Sequence, residues 1–173
     1  MKMVLKVLLS AVALGAVASP AFAQASAGSS TSGTTRIIQG ISIAKTTDLA
    51  FGTVVRPSTS TNSVVINETT GARSVTGAGD AVLVTSTSSR AAYTVTGEGA
   101  QTFSVTVPAT FNMTSGANTL VVTTTTTGAT GTLSGTIGSS GTASVGVGGS
   151  FPLATSTATG NYTGTFTTTV AYN

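Results

Sequence analysis

The sequence predicts an all-β fold, a sandwich or a barrel, and three observations predict it. Val, Ile and Thr recur with a period near two, so successive side chains point to opposite faces of an extended chain. No segment after residue 23 sustains a helical period. Turn signals rich in Gly, Asn and Asp recur at roughly 8- to 12-residue spacing, the rhythm of short strands in a sandwich or barrel.

Residues 1–23 read as a secretory signal peptide, with Lys2 and Lys6 ahead of an apolar run over 7–17. That run is about half of the ~20 residues a spanning helix needs. Ser19-Pro20 breaks it, and Ala21-Phe22-Ala23 supplies the small-x-small cleavage pattern before Gln24. No transmembrane segment is expected in the mature chain. Residues 24–35 hold Ser, Gly and Thr without a large apolar side chain, the composition of a flexible N-terminal extension. Residues 36–173 are expected to form one domain, long enough to bury roughly 70% of its unfolded surface.

Within that domain the first strand is expected over 36–44, with Ile37, Ile41 and Ile43 on one face. Leu49, Phe51 and Val55 continue the odd-numbered pattern, and Gly52 permits a turn or a close approach of backbone. Further strands are expected over 63–67, 73–76, 81–85, 91–96, 102–107, 119–126, 132–137, 142–147 and 162–172. Thr70-Gly71, Gly77-Ala78-Gly79-Asp80, Gly97-Glu98-Gly99, Ser115-Gly116 and Gly138-Ser139-Ser140-Gly141 separate them as turns. The last strand alternates most clearly: Tyr162, Phe166, Val170 and Tyr172 share one face, and the other is nearly all Thr.

Composition excludes several classes of function. There is no Cys, His or Trp, so conventional Ser-His-Asp and Cys-His pairs, disulfides and zinc sites of the usual kind are absent. Removing the leader leaves Arg36, Lys45, Arg56, Arg73 and Arg90 against Asp48, Glu68, Asp80 and Glu98. The +3 of the whole chain becomes nearly neutral, and no charge falls after residue 98. Five scattered cations make no phosphate-binding face, so no nucleic-acid partner is expected. The four carboxylates lack the aromatic setting of a glycosidase pair, and Asp80 lacks the neighbouring oxygen ligands a calcium loop needs. Gly146-Val147-Gly148-Gly149 lacks the Lys-Ser/Thr of a phosphate loop and reads as a bulge or tight strand connection. No catalytic residue, cofactor or metal is expected; the chain does not read as an enzyme.

Leu49-Ala50-Phe51-Gly52, Ser42 to Leu49, Val147-Gly148-Gly149 and the C-terminal Gly160-Asn161-Tyr162-Thr163-Gly164-Thr165-Phe166 to Asn173 carry a resemblance. Their order and spacing resemble a domain-of-unknown-function family of small secreted proteins, chiefly alphaproteobacterial. That family in turn looks like subunits of chaperone–usher fimbriae of the archaic, spore-coat-like class. The resemblance implies an immunoglobulin-like antiparallel β-sandwich that lacks its last strand. A periplasmic chaperone would lend that strand, and at an outer-membrane usher the next subunit's N-terminal extension would replace it, giving self-association into a fibre. The groove edge would be Tyr162, Phe166, Val170 and Tyr172, and the donor 36–45 with Ile37, Ile41 and Ile43. The protein would pass through the periplasm to the cell surface or an extracellular fibre and serve adhesion or biofilm. The chain departs from the pattern in having no large apolar residue over 24–35 and no cysteines. A self-contained secreted sandwich binding a glycan or a surface, and a small outer-membrane β-barrel, are the alternatives.

Overall fold

The structure, a computed structural model, describes residues 26–173, so the expected leader lies outside the described residues. Two compact units divide the chain, one up to Thr35 and one from Arg36 to Asn173. In the first, residues 26–35 form no helix or strand and are exposed.

The second unit is all-β, with antiparallel sheets curled into a half-barrel consistent with a β-sandwich. The larger sheet has seven strands. It joins β1 (Ser42–Thr47), β6 (Ala91–Glu98), β11 (Ser140–Leu153), β3 (Asn62–Ile66) and β4 (Arg73–Gly77), with β9 (Asn118–Thr127) on β11 and β8 (Thr110–Ser115) on β9. A smaller sheet orders β10 (Thr130–Thr132), β7 (Thr102–Thr106) and β12 (Thr169–Tyr172). The two-residue strands β2 (Val54–Val55) and β5 (Val82–Leu83) pair separately.

One long strand, β11, contributes to both buried clusters. The first half of β11 pairs with β6 and its last residues with β3, while Gly146 to Ser150 pair with β9. Gly146-Val147-Gly148-Gly149 sits where these partners converge. A Cβ at Gly148 would run into the Ile66 carbonyl, and one at Gly146 into the Glu68 carbonyl and the Arg90 guanidinium. The glycines are required by close backbone approach, but they lie inside the continuous strand β11 with unbroken registers, not at the bulge or tight strand connection expected. The chain passes from the small sheet to the large one at Pro108, between β7 and β8. Proline has no N–H to contribute to a ladder. The carbonyl of Ala109 accepts from the Thr124 N–H at 2.9 Å, which fastens the corner to β9.

The core follows this division. Phe51, Val64, Ile66, Val122, Phe151 and Leu153 form one buried cluster; Val95, Phe103, Val105, Leu133 and Val145 form the other.

Several expected strands differ from those found. The first begins at Ser42 rather than residue 36, because the residues before it meet no neighbouring strand among the described residues. The stretch 132–137 is not a strand: β10 ends at Thr132, and the chain turns through Gly135 and Gly138, both at positive φ. The expected strand over 162–172 is laddered only at its end, in β12, and by a bridge between Thr163 and Thr114. The sequence reading placed no strand at β8, where Phe111 and Met113 alternate with exposed Thr110, Asn112 and Thr114.

Candidate functional site

The C-terminal segment forms an edge spanning both sheets. Its end, β12, pairs with β7 in register Tyr172 to Phe103 through Thr169 to Thr106. Farther back, Thr163 exchanges both backbone hydrogen bonds with Thr114 of β8, at 2.8 and 3.0 Å. Between these attachments, 164–168 face the longer run 107–113 that contains the Pro108 corner, so the two registers do not match. Residues 164–168 accordingly join no backbone ladder among the described residues. The hydroxyl of Thr168 is buried without a hydrogen-bond partner.

Beside this edge lies a cavity of about 530 Å³. Phe51 and Leu49 form one wall, Phe111 and Met113 of β8 another, and Phe151 and Leu153 of β11 the floor. Its rim is polar and tied down: the Arg56 guanidinium donates to the Thr157 carbonyl at 2.9 Å, and the Tyr162 hydroxyl to the Ala158 carbonyl at 2.8 Å. Such a surface takes apolar side chains, with backbone groups available at its edge. Among the described residues no group of three or more His, Cys, Asp or Glu is placed to hold a metal ion.

The four expected groove residues are all half-buried, but they divide between the cavity side and the second core. Tyr162 lines the cavity, and Phe166 packs on Phe111 with ring centroids 4.9 Å apart. Val170 and Tyr172 pack instead on the cluster around Phe103. Ile41 and Ile43 reach that same cluster, so two of the three expected donor residues lie with two of the expected groove residues inside one chain. Ile37 does not join them and is 89% exposed. Sequence reasoning missed Phe111 and Met113; the signal was their alternation with polar neighbours just after Pro108.

A family model described as Domain of unknown function (DUF4402) matches residues 41–172. The chain belongs to this family. No curated protein and no solved structure matches it.

The DUF4402 match runs from Ile41, just before β1, to Tyr172, the last residue of β12, and leaves the N-terminal arm outside. No helix among the described residues is long and apolar enough to cross a membrane. Two carboxylates of the DUF4402 domain are held below their usual range. At Asp80 the causes are the Ser58 hydroxyl first, then the backbone N–H groups of Thr59 and Ser58. At Glu98 they are the N–H groups of Gly138 and Gln39, with a smaller contribution from the positive charge of Arg36.

Proposed function

We propose that this DUF4402 chain is a structural subunit of a bacterial surface fibre, joined to its neighbours by strand donation. The observation that carries the reading is the C-terminal edge, with 164–168 outside any backbone ladder beside an apolar cavity. An incoming extended segment there satisfies free N–H and C=O groups while its alternate side chains enter apolar space. The donor is the arm preceding β1, which is exposed over 26–40 and carries Ile37 outward. In this reading the chain is exported to the periplasm, where a chaperone covers the edge until an outer-membrane usher hands it to the next subunit. The fibre then acts in adhesion or biofilm.

One observation favours a second reading. Ile41 and Ile43 fill part of the chain's own core beside Val170 and Tyr172, as a self-contained secreted sandwich requires.

A gel of unboiled protein from its own cells separates the two. The fibre reading expects a ladder of heat-labile multimers that disappears when residues 24–38 are deleted. The deletion stops there because Ile41 belongs to the core. A wild-type chain that runs only as a monomer overturns the fibre reading.

A further inference from the structure

Glu98 is the one buried carboxylate among the described residues, only 2% exposed. It ends β6, where Gly97-Glu98-Gly99 read from sequence as a mere turn. One oxygen, Oε2, accepts the backbone N–H of Gln39 at 3.2 Å, and the other, Oε1, accepts the N–H of Gly138. The Tyr172 hydroxyl lies alongside. It accepts the backbone N–H of Glu98 at 2.6 Å and donates to the carbonyl of Gln39 at 2.9 Å. A phenol can do both at once.

Four stretches remote in sequence therefore meet at two side chains: the arm, the end of β6, the loop before β11 and the last strand. The flanking glycines make the approach feasible. A Cβ at Gly97 would occupy the position of the Tyr172 hydroxyl, and one at Gly99 would strike the backbone of Thr136. Both backbone groups of Gln39 are satisfied here, by side chains. Among the described residues, 36–40 make no backbone–backbone hydrogen bond to the rest of the chain.

We propose that Glu98 and Tyr172 form an acid-released latch, which fastens the N-terminal arm to the domain at Gln39 and leaves the arm ahead of it free to engage elsewhere. An ionised carboxylate accepts both N–H groups; a protonated one loses acceptor strength and gains an O–H that faces existing donors. The charged or titratable groups around it are few. Arg36 on the arm favours the ionised form, Tyr172 of β12 supplies a neutral phenol, and residues 134–139 and the opposing Ser140 of β11 bring none. The hydrogen bonds hold the Glu98 carboxyl below the ordinary glutamate value. The latch is thus complete above that ordinary value and opens as pH falls through the lower native one. It is an intrachain device and stands whether or not the arm is donated to a second copy.

The test is amide NMR of the full mature chain from pH 7 to pH 2.5. The amides of Gln39 and Gly138 should move together in one step, and the heteronuclear NOE of 36–40 should fall in the same step to the values of 26–35. Strand amides of β3 should be unaffected there. In Glu98→Gln the arm should be released already at pH 7, with the step abolished. Tyr172→Phe should loosen 36–40 at pH 7 while keeping the step at Gly138, and it remains decisive if the Gln variant fails to fold. Independent titration of the two amides, or 36–40 as ordered in both variants as in wild type, overturns the latch. A wild-type chain that runs only as a monomer while the two amides titrate together removes only the fibre reading.

Discussion

Phe51 and Phe151 meet edge to face, with ring centroids 4.9 Å apart and planes inclined at 80°. Phe51 comes from the irregular stretch after β1 and Phe151 from the end of β11, so the pair ties that stretch to the sheet beneath the cavity. Both are nearly buried, at 7% and 6% exposed. Replacing Phe151 by Ala leaves a void facing Phe51, and truncations of this kind cost about 3–5 kcal/mol. Urea unfolding should show that loss as a lower midpoint with an unchanged slope.

Arg73 is expected to matter through geometry more than charge. Its Nη1 donates to the carbonyls of Phe51 and Thr53 at 2.8 and 3.1 Å, and its Nη2 to the carbonyl of Val84 at 2.6 Å. The guanidinium thereby satisfies the backbone on both sides of Gly52, whose φ is 67°. Arg73→Lys keeps the charge but loses the planar fork. It should destabilise by about 0.5–1.5 kcal/mol, the net range for a lost hydrogen bond whose acceptor water can still reach. Equal thermal midpoints for the Lys variant and wild type would show that the charge alone suffices.

Gly148→Ala should destabilise although the position has an ordinary backbone conformation, because the added methyl collides with the Ile66 carbonyl and the Glu68 backbone. Forcing a methyl into packed structure costs about 1–3 kcal/mol. Gly33→Ala is the control: nothing lies within 4 Å of its Cβ, and exposed changes usually stay within about 0.5 kcal/mol. Chemical denaturation of both variants checks the contrast.

Asp80 ties the loop at Ser58 and Thr59, accepting their N–H groups at 2.7 and 3.0 Å together with the Ser58 hydroxyl. These bonds lower its native pKa, so the unfolded chain takes up the proton first as acid is added. The stability it contributes is complete above the unfolded value of ~3.9 and is lost as pH falls toward the lower native one. Asp80→Asn should therefore lower the melting temperature at pH 7 and narrow its gap to wild type in acid. A gap of constant width from pH 7 to pH 2 contradicts this assignment.

Much of the strand pattern was legible because it rests on local alternation. Residues 63–67, 73–76 and 91–96 lie within or next to β3, β4 and β6, where every second side chain meets a core. The run Arg36 to Gly40 looked equally strand-like, yet an extended chain becomes a strand only when a neighbour accepts its backbone, and none among the described residues lies beside it. The clear alternation of 162–172 held as half-burial at Tyr162, Phe166, Val170 and Tyr172. Which core each would meet depended on the sheet change at Pro108, a relation between distant strands.

By itself, the sequence determined an all-β domain with no charged side chain beyond residue 98, without the imidazole or thiol that common catalytic and metal chemistry uses. Those properties follow from residue types and from a period of two along one chain. Only the tertiary structure decided that Glu98, read as part of a turn, is buried and holds Gln39 and Gly138. It alone brought Ile41 and Ile43 into the same core as Val170 and Tyr172. The reason is physical: these contacts join residues up to 133 positions apart, and no local pattern records which distant strand will supply a hydrogen-bond partner.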